Sequence, residues 1–235
     1  MLEKVPMELT PPTLDDSVSD LDRLRRGLAQ NGLDTSRLSI GLDVMRELAA
    51  TMRDENWRVT ASIIHKSCSS EVVEVEPGDT TPSSLGLAID IGTTTIVVYL
   101  VDMTDGRILA ATSGHNRQAS CGDDVINRIV CAEKNGVRKL STLALSTINT
   151  LIKEAVDGAD VDFKKIQNIV VSGNTTMIHL LLKIEPRYIR REPYIPSISE
   201  FPVLKNKNVG LKANPNAAVF VMPGPASYVG GDIVS

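Results

Sequence analysis

Aromatic residues are scarce, at 3% of 235 positions. Val, Ile, Leu and Ala must therefore fill the core that a hydrophobic content of 42% supports. Cysteine is scarce too: Cys68, Cys121 and Cys131 stand alone, with no C-x-x-C pair. They fall short of the four thiolates of an ordinary iron–sulfur cluster, and each reads as a small core residue. His65, His115 and His179 lie apart from them in sequence, so no zinc-ligand spacing is present. Long apolar runs are missing, which excludes a membrane-spanning helix. The opening M-L-E-K-V-P-M-E-L is too charged for a signal peptide. A basic stripe is missing as well. The densest cluster is Arg187, Arg190 and Arg191, and the net charge is −4 with a pI near 5.5. That balance argues against nucleic acid as a partner. Together these absences describe a cytoplasmic chain with no membrane or nucleic-acid partner.

What is present divides near residue 80. The segment V-E-P-G-D-T-T-P-S-S-L-G, residues 75–86, carries two prolines and two glycines among polar residues and reads as a linker. Three parts are expected: a small docking or spacer domain over 1–80, the end of the linker over 81–86, and a larger domain over 87–235. In the first, Ser17 is expected to cap a helix through Gln30, with Val18, Leu21, Leu24 and Leu28 on one face. A second helix over 41–54 places Leu42, Met45, Leu48, Ala49 and Met52 together. Trp57, Val59, Ala61 and Ile63 alternate as a strand, with 72–76 as its hairpin partner. In the second domain, strands near 87–91, 96–102 and 107–112 form a meander turned at Asp105-Gly106. A polar loop over 114–124 leads into a helix from Asp123, with Val125, Ile126, Ile129 and Val130 inward. A longer helix over 137–157, a buried strand over 166–171, a helix over 175–182, an irregular stretch over 184–214 and a strand over 217–221 follow.

The chemistry concentrates in L-A-I-D-I-G-T-T-T-I-V-V-Y, Leu87 to Tyr99. An apolar strand reaches Asp90, turns at Gly92 and returns as a β-branched run. Gly92 permits a tight turn close to a ligand. The N–H groups and hydroxyls of Thr93, Thr94 and Thr95 can hold phosphate oxygens. Asp90 at the strand end can organise Mg²⁺ through water, since that ion takes few carboxylates and many waters. Taken alone, the same residues also fit a hairpin with a polar turn.

The order of elements resembles one ribonuclease-H-like lobe of the actin-like ATPases, the superfamily of acetate and sugar kinases, heat-shock chaperones and actin. Their first phosphate loop is a D-x-G-T turn, matched by Asp90, Gly92 and Thr93. Ala226, Gly230 and Gly231 match the start of their connecting helix. Within the superfamily, further segments resemble the reductive activators of corrinoid proteins. Lys4 to Leu24 resembles the opening of their middle domain, and C-G-D-D-V-I-N-R-I, Cys121 to Ile129, a G-x-D-V-I-x-R-I signature. Ser172 to Leu182 and Met222 to Ser235 resemble two more.

That resemblance implies an α/β chain: a small α+β domain, then the first lobe of an actin-like ATPase. It implies ATP and Mg²⁺ as cofactors and a corrinoid methyl-transfer protein as partner, with Co(II) returned to Co(I). The electron would come from an iron–sulfur domain that family members carry, fed by a donor such as a ferredoxin; a homodimer is the family's common state. The chain departs from the pattern by lacking cluster cysteines and a second D-x-G turn after Ser235, so a fragment, inactive alone, is expected. The implied site is Asp90 as metal organiser and catalytic carboxylate, with Gly92, Thr93, Thr94 and Thr95 as phosphate cradle. Asp124 either acts on the nucleotide or caps its helix. Gly173, Asn174 and Thr175 either line the cleft or form a capped strand-to-helix turn. Gly230 would allow close helix packing beside the phosphates, and Asp232 could face the cleft. A small-molecule kinase and a non-catalytic interaction module are the competing readings.

Overall fold

The computed structural model describes residues 2–224, which fall into two compact units, 1–84 and 85–235. The first contains β1 (Leu2–Glu8), α1 (Asp20–Gln30), β2 (Leu38–Ile40), α2 (Leu42–Asp54), β3 (Arg58–His65) and β4 (Ser70–Pro77). Its strands form one sheet in the order β1-β3-β4-β2, antiparallel except for the parallel pair β2·β4. Alternation along β3 and β4 turns Val59, Ala61, Ile63 and Val72 toward Leu24, Leu28, Leu48 and Met52 of the helices. β1 was not expected. Its Pro6 lowers any strand reading, yet a proline is tolerated on an edge strand, which is where β1 lies.

Helix α1 begins two residues later than expected. Ser19, not Ser17, is the cap: its Oγ accepts from the Asp22 N–H at 3.1 Å and donates to Asp22 Oδ2 at 2.7 Å. The later start leaves Thr13 and Asp16 in a closed turn, and Asp16 holds the buried Arg23 at 2.8 Å through both a carboxylate oxygen and its carbonyl. Val18 is consequently outside the helix and exposed. On α2 the buried stripe is Val44, Leu48 and Met52, while Leu42 and Met45 are exposed.

The second unit contains β5 (Leu85–Ile91), β6 (Thr95–Asp102), β7 (Ile108–His115), α3 (Val125–Asn135), α4 (Val137–Ala159), β8 (Ile166–Gly173), α5 (Thr175–Leu182), β9 (Leu204–Lys205), α6 (Asn206–Val209) and β10 (Ala218–Val221). The sheet order is β7-β6-β5-β8-β10-β9. β5, β6 and β7 form an antiparallel meander, closed at Asp105-Gly106 by Gly106 N–H to Asp102 O at 2.9 Å. β8 and β10 extend the sheet in parallel with β5. A meander followed by parallel strands beyond its first member is the ribonuclease-H-like lobe of actin-like ATPases.

One face of this sheet presents Leu87, Ile89, Ile91, Ile96, Val98, Leu100, Ile169, Val171 and Val219 to α4 and α5. The long α4 answers with Leu140, Ala144, Ile148, Leu151, Ile152 and Ala155, a stripe at helical spacing. On α3 only Ile129 of the expected inward set is fully buried, and Ile126 is exposed. Cys121 and Cys131 pack against the core, but Cys68 is exposed, contrary to the reading of all three as core residues. The stretch over 184–214 is mostly irregular and holds a short 3₁₀ turn (Arg187–Ile189), β9 and α6. Arg190 and Arg191 of the basic cluster both bond Glu133 of α3, at 2.8 and 3.2 Å.

Candidate functional site: the turn between β5 and β6

The turn Gly92–Thr94 joins β5 to β6 at the carboxyl end of β5, beside the carboxyl end of β8. Open α/β sheets bind ligands outside the carboxyl ends of their parallel strands. Gly92 is required by space: a Cβ there would lie 2.5 Å from the Thr95 carbonyl oxygen, a backbone atom that cannot swing away. Because Ile89 and Ile91 point into the core, Asp90 points to the opposite face, where it is half-buried. Its register neighbour on β8 is Ser172. The Ser172 Oγ is buried and meets no partner among the described residues. A hydroxyl in that state is an orphan that a ligand or water can satisfy.

The turn is held from behind by residues of the loop and helix that follow the meander. Asn116, buried, donates its side-chain N–H to the Gly92 carbonyl at 2.9 Å and its backbone N–H to the Thr94 carbonyl at 2.9 Å. His115 Nδ1 lies 2.8 Å from the same Thr94 oxygen and so carries the proton. Arg128 of α3, fully buried, donates from Nη2 to the Thr93 carbonyl at 2.6 Å and from Nε to the Gly122 carbonyl at 2.9 Å. Its Nη1 lies 3.2 Å from Met177 Sδ. Gln118 ties the assembly to α4 through Leu140 O at 2.9 Å. Burial lowers the Arg128 pKa, with Asp123 opposing at longer range.

The second loop enters from β8. Gly173 pairs with Ile91, and a Cβ there would press the Ile91 carbonyl oxygen at 3.0 Å. Asn174 caps α5, accepting the Met177 N–H at 2.9 Å, and its side-chain nitrogen is 3.5 Å from Thr93 Oγ1. Thr175 is buried in the first turn of α5. The cap and the contact with the turn therefore coexist in one residue. Thr94 and Thr95 are exposed.

Asp124 is the N-cap of α3: Oδ1 accepts the Asn127 backbone N–H and Oδ2 the Asn127 side-chain N–H, each at 2.8 Å. His179 and Met177 are fully buried. Burial lowers the His179 pKa, although its bond to the Thr175 carbonyl acts the other way. Gly230, with Ala226, Gly231 and Asp232, lies outside the described residues. Among the described residues there is no cluster of three or more His, Cys, Asp or Glu poised for a metal. No helix of the described residues is long and apolar enough to cross a membrane. Sequence reasoning missed Asn116 and Arg128 as supports of the turn. Arg128 was visible inside the Cys121–Ile129 signature, but nothing in the spacing shows that it reaches Thr93.

Sheet order and the position of the turn define one lobe of an actin-like ATPase fold. Comparison with known proteins narrows this. Residues 85–235 match the family description "RACo middle region" and residues 1–82 "RACo linker region". The chain belongs to this family of corrinoid reductive activators. The name "middle" thus falls on the second unit, and the first unit, expected as the middle domain, carries the linker description. The chain is 31% identical over 216 residues to the corrinoid activation enzyme RamQ of Eubacterium limosum, covering 91% of this chain and 35% of that protein. A solved structure titled "Reductive activator for corrinoid, iron-sulfur protein" superposes with a TM-score of 0.88 at 40% identity, covering 99% of this chain and 37% of that one. The chain spans about a third of the length of these relatives.

Proposed function

We propose that the second unit supplies the first phosphate-binding loop of an ATP-dependent reductive activator, which returns a corrinoid protein from Co(II) to Co(I). The observation that carries this reading is the turn itself. Its three carbonyls, of Gly92, Thr93 and Thr94, are all taken by Asn116, His115 and Arg128. Among the described residues the N–H groups of Thr93 and Thr94 donate to nothing. Free N–H groups beside hydroxyls form a concavity suited to an anion. Thr93, Thr94 and Thr95 add hydroxyls, and Gly173, Asn174 and Thr175 border the turn from β8.

Asp90 and the orphan hydroxyl of Ser172, register neighbours on adjacent strands, fit a hydrated Mg²⁺. When bound, that ion would neutralise phosphate charge and polarise the terminal phosphoryl group. Asp124 is better read as a cap than as a catalytic carboxylate, because both of its oxygens are already engaged by Asn127.

The proposed role of nucleotide is coupling: ATP favours one arrangement of the complete protein, and that arrangement binds the corrinoid partner in a reducible state. The electron is supplied by a donor such as a ferredoxin through an iron–sulfur centre, for which the three cysteines of this chain are one thiolate short of an ordinary ligand set. The test is binding of the complete protein to a Co(II) corrinoid protein with and without ATP. ATP-dependent binding, with reduction to Co(I) followed by absorbance, supports the reading. Binding indifferent to ATP makes the chain an interaction module, and no binding favours a kinase.

A further inference from the structure

Arg128 is an unusual place for a positive charge. The residue is fully buried, yet among the described residues it forms no ion pair: its donors go to two carbonyls, to Gln118 Oε1 at 3.4 Å and to a thioether. A buried charge is costly unless paired. An arginine stays protonated even when burial lowers its pKa, so the charge is present with no carboxylate bonded to it, and Asp123 and Asp124 act on it only from longer range. A Met or Leu would fill the space without that cost. Something must favour a cation there.

The peptide geometry shows what the cation does. In a planar trans peptide, the carbonyl of one residue and the N–H of the next point in opposite directions. Arg128 holds the Thr93 carbonyl at 2.6 Å, so the Thr94 N–H is aimed away from it, toward the outer side of the turn. Asn116 does the same for the Thr93 N–H by holding the Gly92 carbonyl. The guanidinium fork also bridges the turn to Gly122, in the loop that leads into α3, and so fixes the turn against that loop. A charge-assisted bond to the carbonyl polarises that peptide and leaves its N–H a stronger donor.

We propose that Arg128 is the positioning residue of the anion site: it orients the Thr94 N–H outward and lends its buried charge to the bound phosphate. This rests on the reading of the turn as a phosphate loop. The site takes the terminal phosphates of a nucleotide or an inorganic polyphosphate.

The test titrates inorganic tripolyphosphate into the ¹⁵N-labelled chain and follows backbone amides. In the unmodified chain the Thr93 and Thr94 amides shift in a saturable way. With Arg128→Met the affinity falls about tenfold or more, the scale of losing one charge-assisted bond. The Thr94 shift collapses while core amides such as Ile148 keep their positions. Arg128→Lys keeps the charge but cannot bridge Thr93 and Gly122 together, and gives an intermediate affinity. Equal affinity and an equal Thr94 shift in Arg128→Met would overturn the proposal. If that variant does not fold, Arg128→Lys decides: wild-type affinity and an unchanged Thr94 shift overturn the bridging role, and a several-fold loss supports it. If the unmodified chain shows no amide response, the phosphate-loop reading itself fails, which is a separate outcome.

Discussion

Each unit buries one arginine almost completely, and the two are used differently. Arg23 in the first unit is 2% exposed and paired: Asp16 takes it through a carboxylate and a carbonyl, Thr10 supplies another carbonyl, and the Trp57 ring lies 5.7 Å away. Arg128 in the second unit is 0% exposed and holds the back of a turn with no close carboxylate. The first arrangement fastens a loop to a helix and uses up its charge locally. The second places its charge beside the Thr93 and Thr94 N–H groups, which donate to nothing among the described residues. The buried arginine with its own carboxylate is scaffolding; the one bonded only to neutral groups beneath a glycine turn is the one we propose to support an anion site.

This contrast can be broken by substitution. Arg23→Met should be the largest effect on stability, about 2 kcal/mol, because it leaves the Thr10 and Asp16 carbonyls without this donor and the Asp16 carboxylate with Arg26 alone. Urea unfolding of the chain reads the loss, and the polyphosphate response of Thr94 should be untouched. A loss of anion response in Arg23→Met would erase the distinction. Gly92→Ala acts the other way. The added Cβ meets the Thr95 carbonyl oxygen, so the turn must open, and tripolyphosphate affinity should drop about tenfold, roughly 1.4 kcal/mol, with Arg128 still in place. Wild-type affinity in that variant would show that the shape of the turn is not what binds.

Smaller effects sharpen the assignment of Asp124. As a cap, Asp124→Ala should cost about 1 kcal/mol while Asp124→Asn stays near wild type, since asparagine caps as well as aspartate. If Asp124 acted on nucleotide, Asp124→Asn would abolish ATP turnover by the complete protein while leaving stability intact. The smallest effect concerns pH. Glu133 is held below the usual carboxylate range by its bond to Arg190, with Arg191 and Arg187 adding to it. A depressed carboxylate contributes stability above its unfolded value near 4.5 and loses it as pH falls through the folded value. Glu133→Gln should therefore be the less stable protein at neutral pH, with the gap closing below about pH 4.5. Urea midpoints at pH 7 and pH 3 check it.

Much of this architecture is legible in the sequence. Alternation in β6 and the helical stripe of α4 follow directly from burial, so their residues can be placed from the sequence; in β3 the polar Thr60 and Ser62 are buried as fully as their apolar neighbours. The D-x-G-T turn was legible because a glycine between two β-branched runs has few uses. What the sequence does not show are β1, whose Pro6 lowers a strand reading, and elements too short to have a period: the three residues of β2 and the two of β9. Helix starts were ambiguous where two caps compete, as Ser17 and Ser19 do; the outcome turned on Asp16, which a tertiary contact to Arg23 requires. The same limit applies to the site. Asp90 and Gly92 announce themselves locally, whereas Asn116 and Arg128 act across 24 and 35 residues of sequence. Only the fold brings them under the turn.

The most direct measurement is a titration of the 25.4-kDa chain with MgATP, followed by backbone amide shifts. Saturable changes are expected to centre on Gly92, Thr93 and Thr94 and to reach Asp90, Ser172 and Asn174, with the first unit silent. Shifts confined to other surfaces, or none at saturating nucleotide, would contradict the phosphate-loop reading.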